Sequence, residues 1–266
     1  MGGTFFLSTA NMNLTIYSYK PTGEASHRQP AILLQPVDSH DLEEMETELA
    51  DLASHAARPF VLVPVPVSHW FDELAPWAAP PVFGKTPFGD GAPATLAMLL
   101  DRVLPAVVAA NPLRAVSAPG CIVRSAVIVP DMENPAASTA CSDSAPLVIL
   151  GGYSLAGLFA LWAGTQHAFS AVAGASPSVW YPDWLDFSAS HPMFARAVYL
   201  SLGDTEHKSR TPIMATVGDC IRRQLAIVRN QQVPAILEMN PGNHFKDNGL
   251  RMARGFAWTM RLDKML

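Results

Sequence analysis

The stretch Val148-Ile-Leu-Gly-Gly-Tyr-Ser-Leu-Ala-Gly-Leu-Phe-Ala-Leu-Trp162 constrains this chain more than any other. It opens with an apolar run, Leu147 to Leu150, which reads as a fully buried parallel strand. A helical run follows, with Leu158, Leu161 and Trp162 on one face. Between them lies Gly152-Tyr153-Ser154-Leu155-Ala156-Gly157. A serine on so tight a strand-to-helix turn needs small neighbours, because the backbone there is closely packed, and Gly152 and Ala156 supply them. This is the setting of a nucleophile elbow, Gly-x-Ser-x-Gly, with Ala156 in the last small position. The turn would lift the Ser154 hydroxyl above the sheet, at the N-terminus of the next helix, where the Leu155 amide can donate to an oxyanion. The alternative, a turn that holds a cofactor phosphate, lacks the Gly-x-Gly-x-x-Gly spacing of a dinucleotide site.

The remainder of the chain alternates strands with helices around this stretch. Leu14 to Tyr19 alternates apolar and polar residues, as an outer antiparallel strand would. Ala31 to Leu34, Phe60 to Val65, Ala171 to Ala175, Ala197 to Leu202 and Ala235 to Met239 read as buried strands. Helices are expected from Asp41, with Glu44 at capping-box spacing and Leu42, Met45, Leu49 and Leu52 as the apolar stripe. Others are expected from Pro93 through Val108, around Met214 to Asn230, and at the C-terminal end through Met252, Phe256 and Met260. Pro105 falls inside the second of these and should kink it. The aromatic, proline-rich segment Ser68 to Phe88, which contains Phe83, is too apolar for a linker and too broken for a helix, so it should fold over the sheet as a pocket wall. Residues 112–146 match no element pattern apart from Ala126 to Val129, and are expected to form a surface loop or insertion within one domain spanning 1–266. The pattern predicts an α/β fold, with a mainly parallel central sheet and helices on both faces.

Charge and cysteine usage exclude several functions. With 49% hydrophobic and 15% charged residues, the chain can bury a large core. A formal charge of −5 with no basic cluster argues against a nucleic-acid partner. No uninterrupted apolar run reaches the roughly 18 residues of a membrane span, and the apolar N-terminus lacks the basic flank of a secretory signal. Cys121, Cys141 and Cys220 have neither C-x-x-C spacing nor a histidine at a metal-ligand interval. An odd cysteine count fits a reducing compartment, so a cytoplasmic protein without metal or cofactor is expected.

In parallel sheets of this kind, functional loops gather at the carboxyl ends of the strands. Three such loops carry chemistry here, at Ser154, at Asp204 and Glu206, and at His244. A serine hydroxyl is a weak nucleophile at neutral pH. It needs a base within reach, and the imidazole needs an acid to fix its tautomer and stabilise its cation. Of the eight histidines, only His244 follows a Gly-Asn step after the last strand, where a base can swing over the elbow. His27, His40 and His55 read as surface residues and His69 as a rim residue, while His167, His191 and His207 sit after the elbow helix or in polar loops. The order Ser, acid, His is that of α/β-hydrolases. Asp204 and Glu206 both remain open as the acid on these grounds.

Four motifs carry a family resemblance: Gly-Tyr-Ser-Leu-Ala-Gly-Leu-Phe-Ala-Leu at 152–161, Ser-Pro-Ser-Val-Trp at 176–180, Ser-Leu-Gly-Asp-Thr-Glu at 201–206 and Gly-Asn-His-Phe at 242–245. Together with Trp70-Phe-Asp and Ala75-Pro-Trp77, they resemble the esterase branch of the α/β-hydrolases that includes enterochelin (siderophore) esterase-like proteins. The resemblance covers roughly residues 30–260 and departs at 112–146. It implies that the acid stands three residues after the glycine ending its strand, which selects Glu206 with Asp204 as alternative. It also implies a second oxyanion amide in the loop Gln35 to Asp38, with Val37 the best candidate because Pro36 has no N–H.

The expected activity is hydrolysis of a small carboxylic ester through an acyl-enzyme, with Ser154 as nucleophile and His244 as base. Trp70, Trp77, Tyr153, Trp180 and Tyr181 are the expected substrate-binding residues. Three alternatives stand beside this reading. A siderophore trilactone esterase would need several Arg or Lys at the pocket rim, and the segments 68–91 and 176–191 contain only Lys85. An acyltransferase differs only in using an alcohol in place of water. A catalytically silent binding protein on the same fold would have no need to keep all three catalytic groups.

Overall fold

A computed structural model describes residues 11–82, 84–130 and 146–262. Eight strands form one sheet: β1 (Met12–Tyr19), β2 (Ala31–Val37), β3 (Phe60–Pro66), β4 (Ile122–Val129), β5 (Leu147–Tyr153), β6 (Ala171–Ala175), β7 (Val198–Gly203) and β8 (Ala235–Asn240). Their spatial order is β4-β1-β3-β2-β5-β6-β7-β8. The sheet is mixed: β3, β2, β5, β6, β7 and β8, in that spatial order, run parallel, while β1 lies antiparallel to both β3 and β4. The chain runs outward from β2 to β3 on one side and from β5 to β8 on the other. The order therefore reverses between β2 and β5, and the crevice beyond their carboxyl ends is the expected ligand site of an open α/β sheet.

Helices cover both faces. On one side α1 (Met45–His55) packs with the C-terminal α5 (Asn248–Thr259) on Leu33, Leu62, Ile149 and Ala173. On the other lie α2 (residues 92–110), α3 (Leu155–Gly164) and α4 (Val217–Asn230). Helix α2 is one continuous run of Ala92–Met98, a π turn at Leu99–Val103, and Leu104–Ala110. Pro105 cannot donate to the carbonyl of Asp101 and crowds it. The wider turn immediately before it relieves the mismatch, at the place where the sequence predicts a kink. By length and composition alone, Ala92–Ala115 could cross a membrane; here Leu96, Leu99, Val103 and Val107 are buried in the core.

Two further expectations are corrected. The segment 112–146 is not simply a loop, because Ile122–Val129 forms the edge strand β4, paired along its whole length with β1. β1 is therefore second from the edge. The signal was weak because only Val127 and Val129 of β4 are buried, so the strand shows polar and apolar residues alike to solvent. The remainder of the expected loop, 131–145, including Cys141, lies outside the described residues, as do Phe83 and the N-terminal 1–10. The capping box also shifts. Asp38 caps a short helix, Ser39–Glu43, with Asp41 as its reciprocal partner, and Leu42 is exposed instead of joining the stripe.

Between β2 and α1, the buried Glu48 accepts a hydrogen bond from Gln35 Nε2 at 3.2 Å. Burial pushes the Glu48 carboxyl up to about 8, opposed by the Gln35 hydrogen bond and reinforced by Asp41. The folded protein thus holds this proton more tightly than the unfolded chain, whose value is near 4.5. Stability contributed here falls as pH rises between those two values. Glu48→Gln keeps the shape and removes the titration. Its Tm should match wild type near pH 5 and exceed it by several degrees near pH 8, measured by thermal melts across that range.

Candidate active site

Ser154 stands at the carboxyl end of β5 with φ 56° and ψ −118°, in a sparsely populated region of backbone space. Its amide donates to Ala175 O at 3.0 Å and its carbonyl accepts from Leu158 and Ser178, so the surrounding structure holds the strained residue in place. Gly152 is needed on steric grounds: a Cβ there would lie 2.4 Å from the Ala156 backbone. All ten residues of α3 are buried, which anchors the helix whose first amide is that of Leu155.

The Ser154 hydroxyl lies 2.9 Å from His244 Nε2, and His244 Nδ1 lies 2.8 Å from Glu206 Oε2. A carboxylate only accepts, so Nδ1 carries the hydrogen and Nε2 of the neutral ring is left to accept from the serine. Ser154, His244 and Glu206, 90 and 38 residues apart in sequence, thus form one line of hydrogen bonds. Asp204 does not join it. Its carboxylate accepts from the Gly242 amide at 2.8 Å and ties the histidine loop to the end of β7.

Glu206 is almost fully enclosed. Its Oε1 accepts from Ser176 Oγ at 2.7 Å, from the Gly203 amide at 2.7 Å and from Arg251 Nη1 at 3.0 Å. Burial alone would raise this carboxyl. The hydrogen bond and charge of His244, with the bonds from Ser176 and Gly203, outweigh burial and hold it below the ordinary glutamate value. Arg251, from α5, is buried and binds outward in several directions. Nη1 also reaches Tyr153 Oη at 3.0 Å and Ser176 Oγ at 2.9 Å, and Nη2 donates to the Asn243 carbonyl at 2.9 Å. Tyr153 Oη in turn donates to the His244 carbonyl at 2.8 Å. One guanidinium therefore fixes the acid, the loop of the base and the residue before the nucleophile. Sequence reasoning missed Arg251 and Ser176. Arg251 looks like one more cation on an amphipathic helix, and only its burial distinguishes it.

The cleft above Ser154 has a volume of about 260 Å³. Trp70, Trp180, Tyr153 and Leu155 line it as expected, joined by Phe71, Phe88, Met214, Ser178 and Phe245. Trp77 and Tyr181 do not line it. Trp77 stacks within 6.5 Å of Trp184 and donates its indole N–H to the Pro182 carbonyl, while the Tyr181 hydroxyl donates to the Trp77 carbonyl. They form an aromatic cluster, with Trp77 half-buried, behind the wall that carries Trp180 and Phe88. Val37 is also buried away from the cleft, which is lined instead by Asp38, His40, Asp41 and Asn248. The Asp38 amide is already directed to the Asp41 carboxyl at 3.2 Å. His40, read from sequence as a surface residue, is exposed but stands at the cleft. A wider open groove at the amino end of β8, lined by Arg229 and Trp258, brings no nucleophile and base together. Among the described residues no cluster of His, Cys, Asp or Glu has the arrangement of a metal site.

No family model matches the chain, and no curated protein matches it in sequence. Solved structures do. The siderophore hydrolase EstB from Aspergillus nidulans superposes with a TM-score of 0.62 at 14% identity, covering 97% of this chain and 96% of that one. The siderophore hydrolase EstA from the same organism gives 0.60 at 16% identity, covering 95% and 94%. An IroE-like serine hydrolase from Shewanella oneidensis gives 0.60 at 12% identity, covering 94% and 79%. With the mixed eight-stranded sheet and its reversal between β2 and β5, this likeness shows that the chain shares the α/β fold of these solved hydrolases.

Proposed function

We propose that the protein is a serine hydrolase of small carboxylic esters. The reading rests on one observation: the unbroken line from Ser154 Oγ through the His244 imidazole to a Glu206 kept ionised. Ser154 Oγ bonds to the ester carbonyl carbon while His244 Nε2 takes its proton. The Leu155 amide donates to the oxyanion. Collapse breaks the bond to the alcohol, which leaves with the proton from His244. Water then attacks the acyl-enzyme with His244 again as base, releasing the acid and restoring Ser154. Glu206 holds the ring in the tautomer this requires and stabilises the imidazolium.

A siderophore trilactone is the second reading, favoured by the fold shared with EstA and EstB. Against a strongly anionic ferric catecholate stands the lining of the cleft, which includes no Lys or Arg among the described residues. The test is a fluorophosphonate probe together with a panel of short-chain esters. The probe should label Ser154, identified by peptide mass spectrometry, and hydrolysis should stop as labelling completes. Labelling that persists in Ser154→Ala, or hydrolysis that continues in the fully labelled protein, removes the proposal.

A further inference from the structure

The base sits on a segment with little regular structure to hold it. Residues 241–247, between β8 and α5, form neither helix nor strand, Gly242 lies at φ 104°, and Phe245, next to the base, is 75% exposed. Asp204, Thr205 and Arg251 tie down the start of the segment, through the Gly242 amide, the Gly242 carbonyl and the Asn243 carbonyl. At His244 itself the backbone tie comes from Tyr153, whose Oη lies 2.8 Å from the His244 carbonyl. Tyr153 is the last residue of β5 and immediately precedes the nucleophile. This one bond therefore joins the backbone of the base to the turn that carries Ser154.

A third group fixes the direction of that bond. A guanidinium has donors only, so Arg251 Nη1, 3.0 Å from Tyr153 Oη, must donate to it. The phenol hydrogen is then left for the His244 carbonyl, which can only accept. Burial pushes the phenol above the ordinary tyrosine value, against the Ser176 hydrogen bond and the Arg251 charge, so Oη keeps its hydrogen at neutral pH. The ring is 3% exposed and stands 5.4 Å from the imidazole, inclined at 54°. What Tyr153 adds to the cleft is ring, since its hydroxyl is engaged within the protein.

We propose that Tyr153, read from sequence as a substrate-binding residue, is a positioning residue: its hydroxyl, oriented by Arg251, holds the backbone of His244 so that Nε2 stays within reach of Ser154 Oγ. The proposal deepens the hydrolase reading and rests on it for the roles of Ser154 and His244. Without this tie the segment is free to carry the imidazole beyond the 2.9 Å at which it meets the serine, and small misplacements of reacting groups cost large factors in rate.

The test is Tyr153→Phe, which keeps the ring and removes Oη. Its kcat should fall about tenfold, the scale of one hydrogen bond, with KM little changed and by the same factor on every ester of the panel. In the His244→Ala background the same substitution should have no further effect on the residual rate, because it acts through His244. Tyr199→Phe is the control for general loosening. It removes another buried phenol, one that donates to Glu238 at 3.0 Å outside the site, and should lose comparable stability while keeping kcat. Replacing Tyr153 with p-aminophenylalanine retains a donor to the His244 carbonyl and should keep kcat within a few-fold of wild type; it carries the test if Tyr153→Phe fails to fold. An unchanged kcat in Tyr153→Phe, a change in KM that differs from ester to ester, an equal loss in Tyr199→Phe, or a full loss in the p-aminophenylalanine protein each overturns the proposal and leaves the hydrolase reading standing. A wild-type protein that hydrolyses no ester and takes no fluorophosphonate ends the hydrolase reading instead. The positioning is then read from the Nδ1–H proton resonance of His244, assigned with His244→Ala: loss or broadening of that signal in Tyr153→Phe supports it, and an unchanged signal overturns it.

Discussion

Ser154→Ala should lower kcat by about 10⁴- to 10⁶-fold on any ester that the wild-type protein turns over, while its melting temperature stays close to wild type. The hydroxyl is the atom that bonds to the carbonyl, so its loss leaves only oxyanion stabilisation and binding. His244→Ala should cost a comparable factor, because an unactivated serine hydroxyl is a poor nucleophile at neutral pH. Residues that act as one unit are not additive, so the double mutant should be hardly slower than either single mutant. Two independent losses that multiply in the double mutant would show that Ser154 and His244 do not act on one step. His207, next to Glu206 in sequence, makes no contact in the hydrogen-bond line. His207→Ala should keep most of the rate.

The sequence made the elbow legible because steric demands there are absolute. A strained serine between a strand and a helix needs small residues at fixed offsets, and Gly152 and Ala156 show them. The buried strands themselves were readable for similar reasons, since parallel strands buried on both faces leave continuous apolar runs. β4 left only the short run Ala126 to Val129, because most of its residues face solvent at a sheet edge. The aromatic wall was only half legible. Composition marks Trp70, Trp77, Trp180 and Tyr181 alike as large and apolar, but which ring faces the cleft and which backs it depends on packing against Trp184 and Phe187. Cleft residues such as Asp41 and Asn248 were invisible for a different reason. Sequence reads Asp41 as a helix-capping residue, and its place in the cleft follows only from where β2 ends beside β5.

Glu206→Gln should lower kcat by about 10³- to 10⁴-fold with little change in KM, the effect expected when an imidazole loses the carboxylate that fixes its tautomer. Asp204→Asn should stay within a few-fold of wild type, because the asparagine Oδ1 can still accept from the Gly242 amide. The reverse ranking would move the acid to Asp204, and two small effects would point to a serine–histidine dyad. Arg251 separates charge from position. Arg251→Met leaves the Glu206 carboxylate buried without its guanidinium and frees the Asn243 and Tyr153 contacts that hold the base. It should lower both the melting temperature and kcat, and Arg251→Lys should recover stability better than turnover, since a lysine cannot span three partners at once. The pH dependence distinguishes this from a general loss of packing. Glu206 titrates below its unfolded value, so its stabilising contribution is complete above that value and is lost as pH falls through the folded one. Glu206→Gln lacks that contribution at neutral pH, so the gap in Tm between wild type and Glu206→Gln should close as the pH is lowered. A gap that stays constant down to the acid limit would mean that Glu206 is not held as a carboxylate by its surroundings, and the imidazole would then lack the fixed anion on which the proposed mechanism depends.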